Sequence, residues 1–115
     1  MQYHGVELNV NLFHAGFAER YERALEQMGE EIKSLPAGNL AESIRGQTGC
    51  VERFVSSVFG PEVYPALGLD ADDLNEHLGL VEAIVEETAR QKGAAQQRFA
   101  RYSPERSRRH HAGER

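Results

Sequence analysis

From Phe13 onward, apolar residues recur at three- and four-residue steps in three separate runs, and this periodicity restricts the chain to a mainly helical fold. Phe17, Tyr21, Leu25, Met28, Ile32 and Leu35 make the first run, with Glu19, Glu22, Glu26, Glu30 and Glu31 on the other faces, and predict a helix over about 15–34. The stretch Leu35-Pro36-Ala37-Gly38-Asn39 ends it, and Asn39 is placed to cap the next helix. Leu40, Ile44, Gln47, Val51, Phe54, Val55, Val58 and Phe59 mark that second helix over about 40–59, closed by Gly60-Pro61. Inside it, Gly46 and Gly49 cost helix propensity of roughly 1 kcal/mol each relative to Ala, and are read as sites where another backbone approaches closely. Residues 61–68 carry too many helix terminators for more than one turn.

The third run opens at Asp70-Ala71-Asp72-Asp73, whose carboxylates favour the positive end of a helix. It continues through Leu74, Leu78, Val81, Val85, Thr88, Lys92, Ala95, Phe99 and Tyr102 to Pro104. Its apolar character fades after Val85, so the later turns are expected to project or to need a partner. Ahead of the helices, Val6, Leu8, Val10 and Leu12 alternate with Glu7, Asn9 and Asn11, the period of a half-buried strand. His4-Gly5 before it suits the positive φ angles of a tight turn, so a small N-terminal hairpin is expected. Two strands alone are marginal in water, and the ribbon must lie on helices or add to another chain's sheet. The fold class is therefore mainly α: a three-helix domain with a short N-terminal β-hairpin over residues 1–103, followed by a disordered basic tail over 104–115.

Charge is divided unevenly along this architecture. Residues 1–89 carry 5 Lys/Arg against 16 Asp/Glu, net −11, whereas residues 90–115 carry 8 against 2, net +6. A basic arm on an acidic body points to an interaction element, with Phe99, Arg101, Tyr102, Arg106, Arg108 and Arg109 as candidate partner-binding residues. Nucleic acid is disfavoured as the partner, because the acidic body would repel a phosphate backbone. A protein surface of opposite charge, or another copy's acidic first helix, fits better. No apolar run approaches a membrane span, no secretory leader is evident, and a single cysteine, Cys50, excludes an internal disulfide, so a soluble intracellular protein is expected.

Catalytic and metal chemistry find little footing. Asp70, Asp72, Asp73 and Asn75 crowd together, but an EF-hand would need Gly and Glu where Asn75 and Val81 stand, and a helix start explains them. Cys50 has no triad partners nearby and is read as a small packing residue. His4, His14 and His77 are read as surface or capping residues, and Gly46-Gln47-Thr48-Gly49 lacks the Lys-Ser/Thr of a phosphate loop. His110-His111 in the tail is read as no more than an adventitious metal site. No active site, cofactor or metal is nominated.

The order Gly5-Val6-Glu7-Leu8, Leu12-Phe13, Ala18-Glu19-Arg20-Tyr21-Glu22, Val58-Phe59-Gly60 and Tyr102-Ser103-Pro104-Glu105-Arg106-Ser107-Arg108-Arg109 resembles small tail-region proteins of siphophages and prophages of Gram-positive hosts, similar to tail assembly chaperones. His14 stands where those proteins commonly open the first helix with Asp, and Glu105 where an Asn follows the tail proline. The resemblance implies a non-virion protein of the host cytoplasm that binds the aggregation-prone tape measure protein until the tail tube polymerises around it. It further implies that several copies cover the client, so a homo-oligomer is expected, with the tail tube protein as a second partner. A structural tail or head–tail connector subunit, and a small nucleic-acid-binding regulator, are the alternatives.

Overall fold

The computed structural model describes residues 1–102. β1 (Gln2–Tyr3) and β2 (Val6–Glu7) pair antiparallel, Gln2 opposite Glu7 and Tyr3 opposite Val6, across a turn in which His4 and Gly5 have φ of 49° and 76°. Four helices follow: α1 (Ala15–Lys33), α2 (Leu40–Phe59), α3 (Val63–Leu67) and α4 (Leu74–Tyr102). The single turn of α3 is all that the terminators of residues 61–68 permit. The fold class expected from the sequence is thus the one observed, while residues 103–115, with the expected disordered tail, lie outside the described residues.

Capping side chains set the helix starts. His14 Nδ1 accepts the Phe17 N–H at 3.3 Å, and Asn39 Oδ1 accepts the Glu42 N–H at 2.9 Å. The acidic cluster is consumed in local structure in the same way. Asp70 Oδ1 accepts from the Asp72 N–H, Asp73 Oδ1 accepts from the Glu76 N–H at the start of α4, and Glu76 Oε2 reaches back to the Asp70 N–H. Buried Thr48 donates its hydroxyl to the Ala71 carbonyl at 2.7 Å, tying this loop to α2, and Arg45 pairs with Asp72 at 2.9 Å on the surface.

The core is formed by Phe17, Tyr21, Ala24 and Met28 of α1 against Cys50, Val51, Phe54, Val55 and Val58 of α2, with Leu80 and Ile84 of α4 and Leu67 of α3 completing it. Rings interleave across it: Phe17 lies 6.2 Å from Tyr21 and from Phe59, and Tyr21 lies 6.2 Å from Phe54 edge-on. Beyond Met28 the α1 stripe passes to Glu31, half-buried and ion-paired with Arg53 at 3.1 Å, so Ile32, expected inside, is exposed. Leu35 folds instead onto Gly46, where its methyl carbons would lie 3.1 and 3.2 Å from a Cβ. Gly46 therefore does admit a close neighbour, but a side chain rather than a backbone. Gly49 does not: Arg53, at 3.6 Å, is the one neighbour a Cβ would meet.

Two readings of the sequence are corrected on α4. The buried stripe is His77, Leu80, Ile84, Thr88 and Gln91, so of the predicted seam Thr88 alone is fully buried, and Leu78 and Val85 stay 44% and 40% exposed. His77, expected at the surface, is wholly buried. Its burial costs little because both ring nitrogens are satisfied. Burial, and behind it the charge of Glu52, push the Tyr64 hydroxyl above its ordinary pKa, so it stays protonated and donates to Nε2 at 2.7 Å. Nδ1–H then donates to the Asp73 carbonyl at 2.8 Å.

The second strand is shorter than the alternation suggested, since β2 ends at Glu7 and pairing stops one residue later, where Leu8 and Met1 exchange two hydrogen bonds. Leu8 and Val10 are nevertheless buried, and the hairpin lies on the helices, His4 Nδ1 meeting the Leu67 carbonyl at 3.3 Å. The two glycines of α2 give a paired test. Gly49→Ala is expected to stabilise the protein by about 0.5–1 kcal/mol through helix propensity, whereas Gly46→Ala forfeits that gain against Leu35, and urea unfolding of the two variants measures the difference.

Candidate interaction surface

The candidate residues begin where the core ends, and one side chain marks the place. Gln91 Nε2 donates to the Val10 carbonyl at 2.8 Å while its Oε1 accepts the Leu12 N–H at 2.9 Å. The amide stands in for the peptide group of a neighbouring strand, holding the backbone of residues 10–12 against α4 where no strand lies beside it. Gln91 Nε2 also donates to Glu87 Oε2 at 2.9 Å, and Arg90 closes the cluster through two hydrogen bonds to the same carboxylate, at 3.0 and 2.6 Å. Arg90, with Gln91 second, holds the Glu87 carboxyl at about 2, well below the ordinary carboxylate range.

Past Gln91 no residue of α4 is buried. Eleven further residues to Tyr102 extend the helix roughly 16 Å beyond its last core contact, at 1.5 Å per residue. The described chain is accordingly elongated, 64 × 31 × 23 Å. On this stem Phe99 and Tyr102 are each 78% exposed, and with Ala95, Arg98 and Phe13, itself 57% exposed, they line an open, mainly apolar cleft of about 290 Å³. Arg101 faces a neighbouring, more polar depression with Gly93, Gln96, Gln97 and Ala100.

The structure thus brings Phe99 and Tyr102 together, sets Arg101 beside them on the next face, and adds two residues the sequence reading did not nominate. Arg98 was legible as part of the basic run. Phe13 was hidden, because a residue between a strand-like stretch and a helix carries no periodic signal. Arg106, Arg108 and Arg109 lie outside the described residues.

Chemistry elsewhere is sparse. Among the described residues no group of three or more His, Cys, Asp or Glu side chains could hold a metal ion, and none of the helices is long and apolar enough to cross a membrane. Cys50 is buried in the core, with Arg53 Nη2 3.5 Å from its sulfur. A cleft of about 250 Å³ between α1 and α2, lined by Met28, Glu31, Arg53 and Phe54 among others, has the Glu31–Arg53 ion pair in its wall. Among the described residues, the flank of the stem is where exposed aromatic rings and guanidinium groups stand together.

Comparison with known proteins gives a family without an assigned role: "Family of unknown function (DUF6673)" matches residues 4–113, and the chain belongs to it. No curated protein and no solved structure matches.

The cluster at the base of the stem yields two expectations. Gln91→Ala leaves the Val10 carbonyl and the Leu12 N–H without their partner and is expected to cost about 1–3 kcal/mol, with faster amide exchange at Leu12. Glu87, whose folded pKa lies below the ordinary value of 4.5, contributes stability that is complete above that pH and is lost as pH falls from there toward about 2. Acid titration of unfolding should therefore be shallower in this window for Glu87→Gln than for the parent.

Proposed function

We propose that this member of the DUF6673 family is a phage tail assembly chaperone, a binding protein without a catalytic step that holds the tape measure protein in soluble form while the tail tube assembles around it. The observation that carries the reading is the stem of α4, on which Phe99 and Tyr102 leave the core and stand in solvent beside Phe13. Exposed aromatic rings flanked by Arg98 and Arg101 suit a long amphipathic helical client, the rings entering its apolar stripe and the guanidinium groups meeting its carboxylates. The small acidic body keeps such a complex in solution. The resemblance of the hairpin, first helix and tail motifs to tail-region proteins names the client class; the aromatic stem supplies a place for it to sit.

Co-expression with a tape measure protein is expected to raise the client's soluble fraction and to yield a complex that survives gel filtration, and absence of both overturns the proposal. So would recovery of this chain in stoichiometric amount from purified phage particles, which is the behaviour of a structural tail subunit. Deleting residues 104–115 is expected to leave cooperative thermal unfolding intact while weakening the complex.

A further inference from the structure

We propose that, in the free protein, the uncovered face of α4 is occupied by a second copy of the same chain, the two α4 helices lying antiparallel with residue 90 at the two-fold axis. The positions 74, 78, 81, 85, 88, 92, 95, 99 and 102 follow one another in unbroken alternating steps of four and three, which is the spacing of a coiled-coil seam. The domain's own core draws on a neighbouring stripe, His77, Leu80, Ile84 and Gln91, and shares Thr88 alone with the seam. Most of the heptad seam is therefore uncovered: Leu78, Val85, Lys92, Phe99 and Tyr102 are exposed, and Leu74, Val81 and Ala95 are half-covered.

Charge selects the occupant and its direction. The first half of α4 carries Glu76, Glu82, Glu86 and Glu87 with no Lys or Arg, and the second half carries Arg90, Lys92, Arg98 and Arg101 with no Asp or Glu. A parallel copy would set four carboxylates against four and four cations against four. An antiparallel copy sets each acidic half against a basic half. The seam obeys the same symmetry. With residue 90 at the centre, Leu78 meets the second copy's Tyr102, Val81 its Phe99 and Val85 its Ala95, so each exposed aromatic ring finds an aliphatic side chain.

Nucleic acid is repelled by the acidic half, and the segment 103–115 of the chain itself is too polar to fill an apolar seam. An isologous pair needs nothing that α4 does not already present twice. This inference stands apart from the client reading, since it concerns the chain alone; where both hold, client and second copy compete for one stem.

Sedimentation velocity of the full chain over a micromolar concentration series is expected to show a monomer–dimer equilibrium, and a monomer throughout overturns the proposal. Phe99→Asp, at an exposed position, should weaken the dimer about tenfold or more while keeping the parent's thermal unfolding. Mixed Leu78→Cys and Tyr102→Cys chains should form the heterologous disulfide in preference to either homologous one, buried Cys50 staying out of reach; self-linking of Leu78→Cys in preference means parallel helices and overturns the arrangement. As a check that does not use thiols, Arg98→Glu/Arg101→Glu and Glu82→Lys/Glu86→Lys should each dissociate alone and pair when mixed. Dimers undiminished by either charge reversal would place the interface elsewhere and overturn the proposal.

Discussion

The side-chain amide of Gln91 joins the two ends of the described chain. By accepting from the Leu12 N–H and donating to the Val10 carbonyl, it fixes the segment between hairpin and α1 against α4, more than seventy residues away in sequence. That tether presents Leu8 and Val10 to the core and delivers the chain to His14, whose ring then caps α1. It is also the last buried group on α4, so one residue both closes the domain and begins the stem. A hydrogen-bonding side chain in this role has a physical advantage over an apolar one: it satisfies backbone groups that a helix surface could not otherwise satisfy.

How far the sequence disclosed this fold depends on the kind of signal each element carries. The breaks at Pro36, Gly60 and Pro61, the Asn39 cap and the positive-φ turn at His4-Gly5 are local chemistry, and each appears where local chemistry put it. The buried face of α4 was misplaced because two periodic stripes share the helix. The more apolar one, through Leu78 and Val85, is the natural reading, yet the core takes the one containing His77, Thr88 and Gln91. Polar residues win those places because Tyr64, the Val85 carbonyl and the Val10–Leu12 backbone satisfy them, and those partners are visible only in three dimensions. Burial of His77 in particular depends on the single turn of α3 bringing Tyr64 alongside.

The binding surface was legible in part for the same reason. Phe99, Arg101 and Tyr102 announced themselves by composition, as aromatic residues in a basic run on a helix whose apolar content had thinned. Phe13 is recognisable as part of that surface only once Gln91 has drawn residues 10–12 along α4 and placed the ring beside Ala95 and Phe99. The misread seam and the exposed rings turn out to be one phenomenon: a helix that serves its own domain with one stripe leaves most of a second, more apolar one uncovered.

Because the last buried group on α4 is Gln91, the geometry of the stem is that of a lever with its fulcrum in the Glu87–Arg90–Gln91 cluster. At 1.5 Å per residue, a tilt of about 10° at that point would carry Tyr102 sideways by about 3 Å, more than half the pitch of a helix turn. Whatever rests on the aromatic tip is therefore aimed from the base. Small changes in packing around Val10, Thr88 and Gln91, remote from the tip itself, would alter which surfaces Phe99 and Tyr102 can reach.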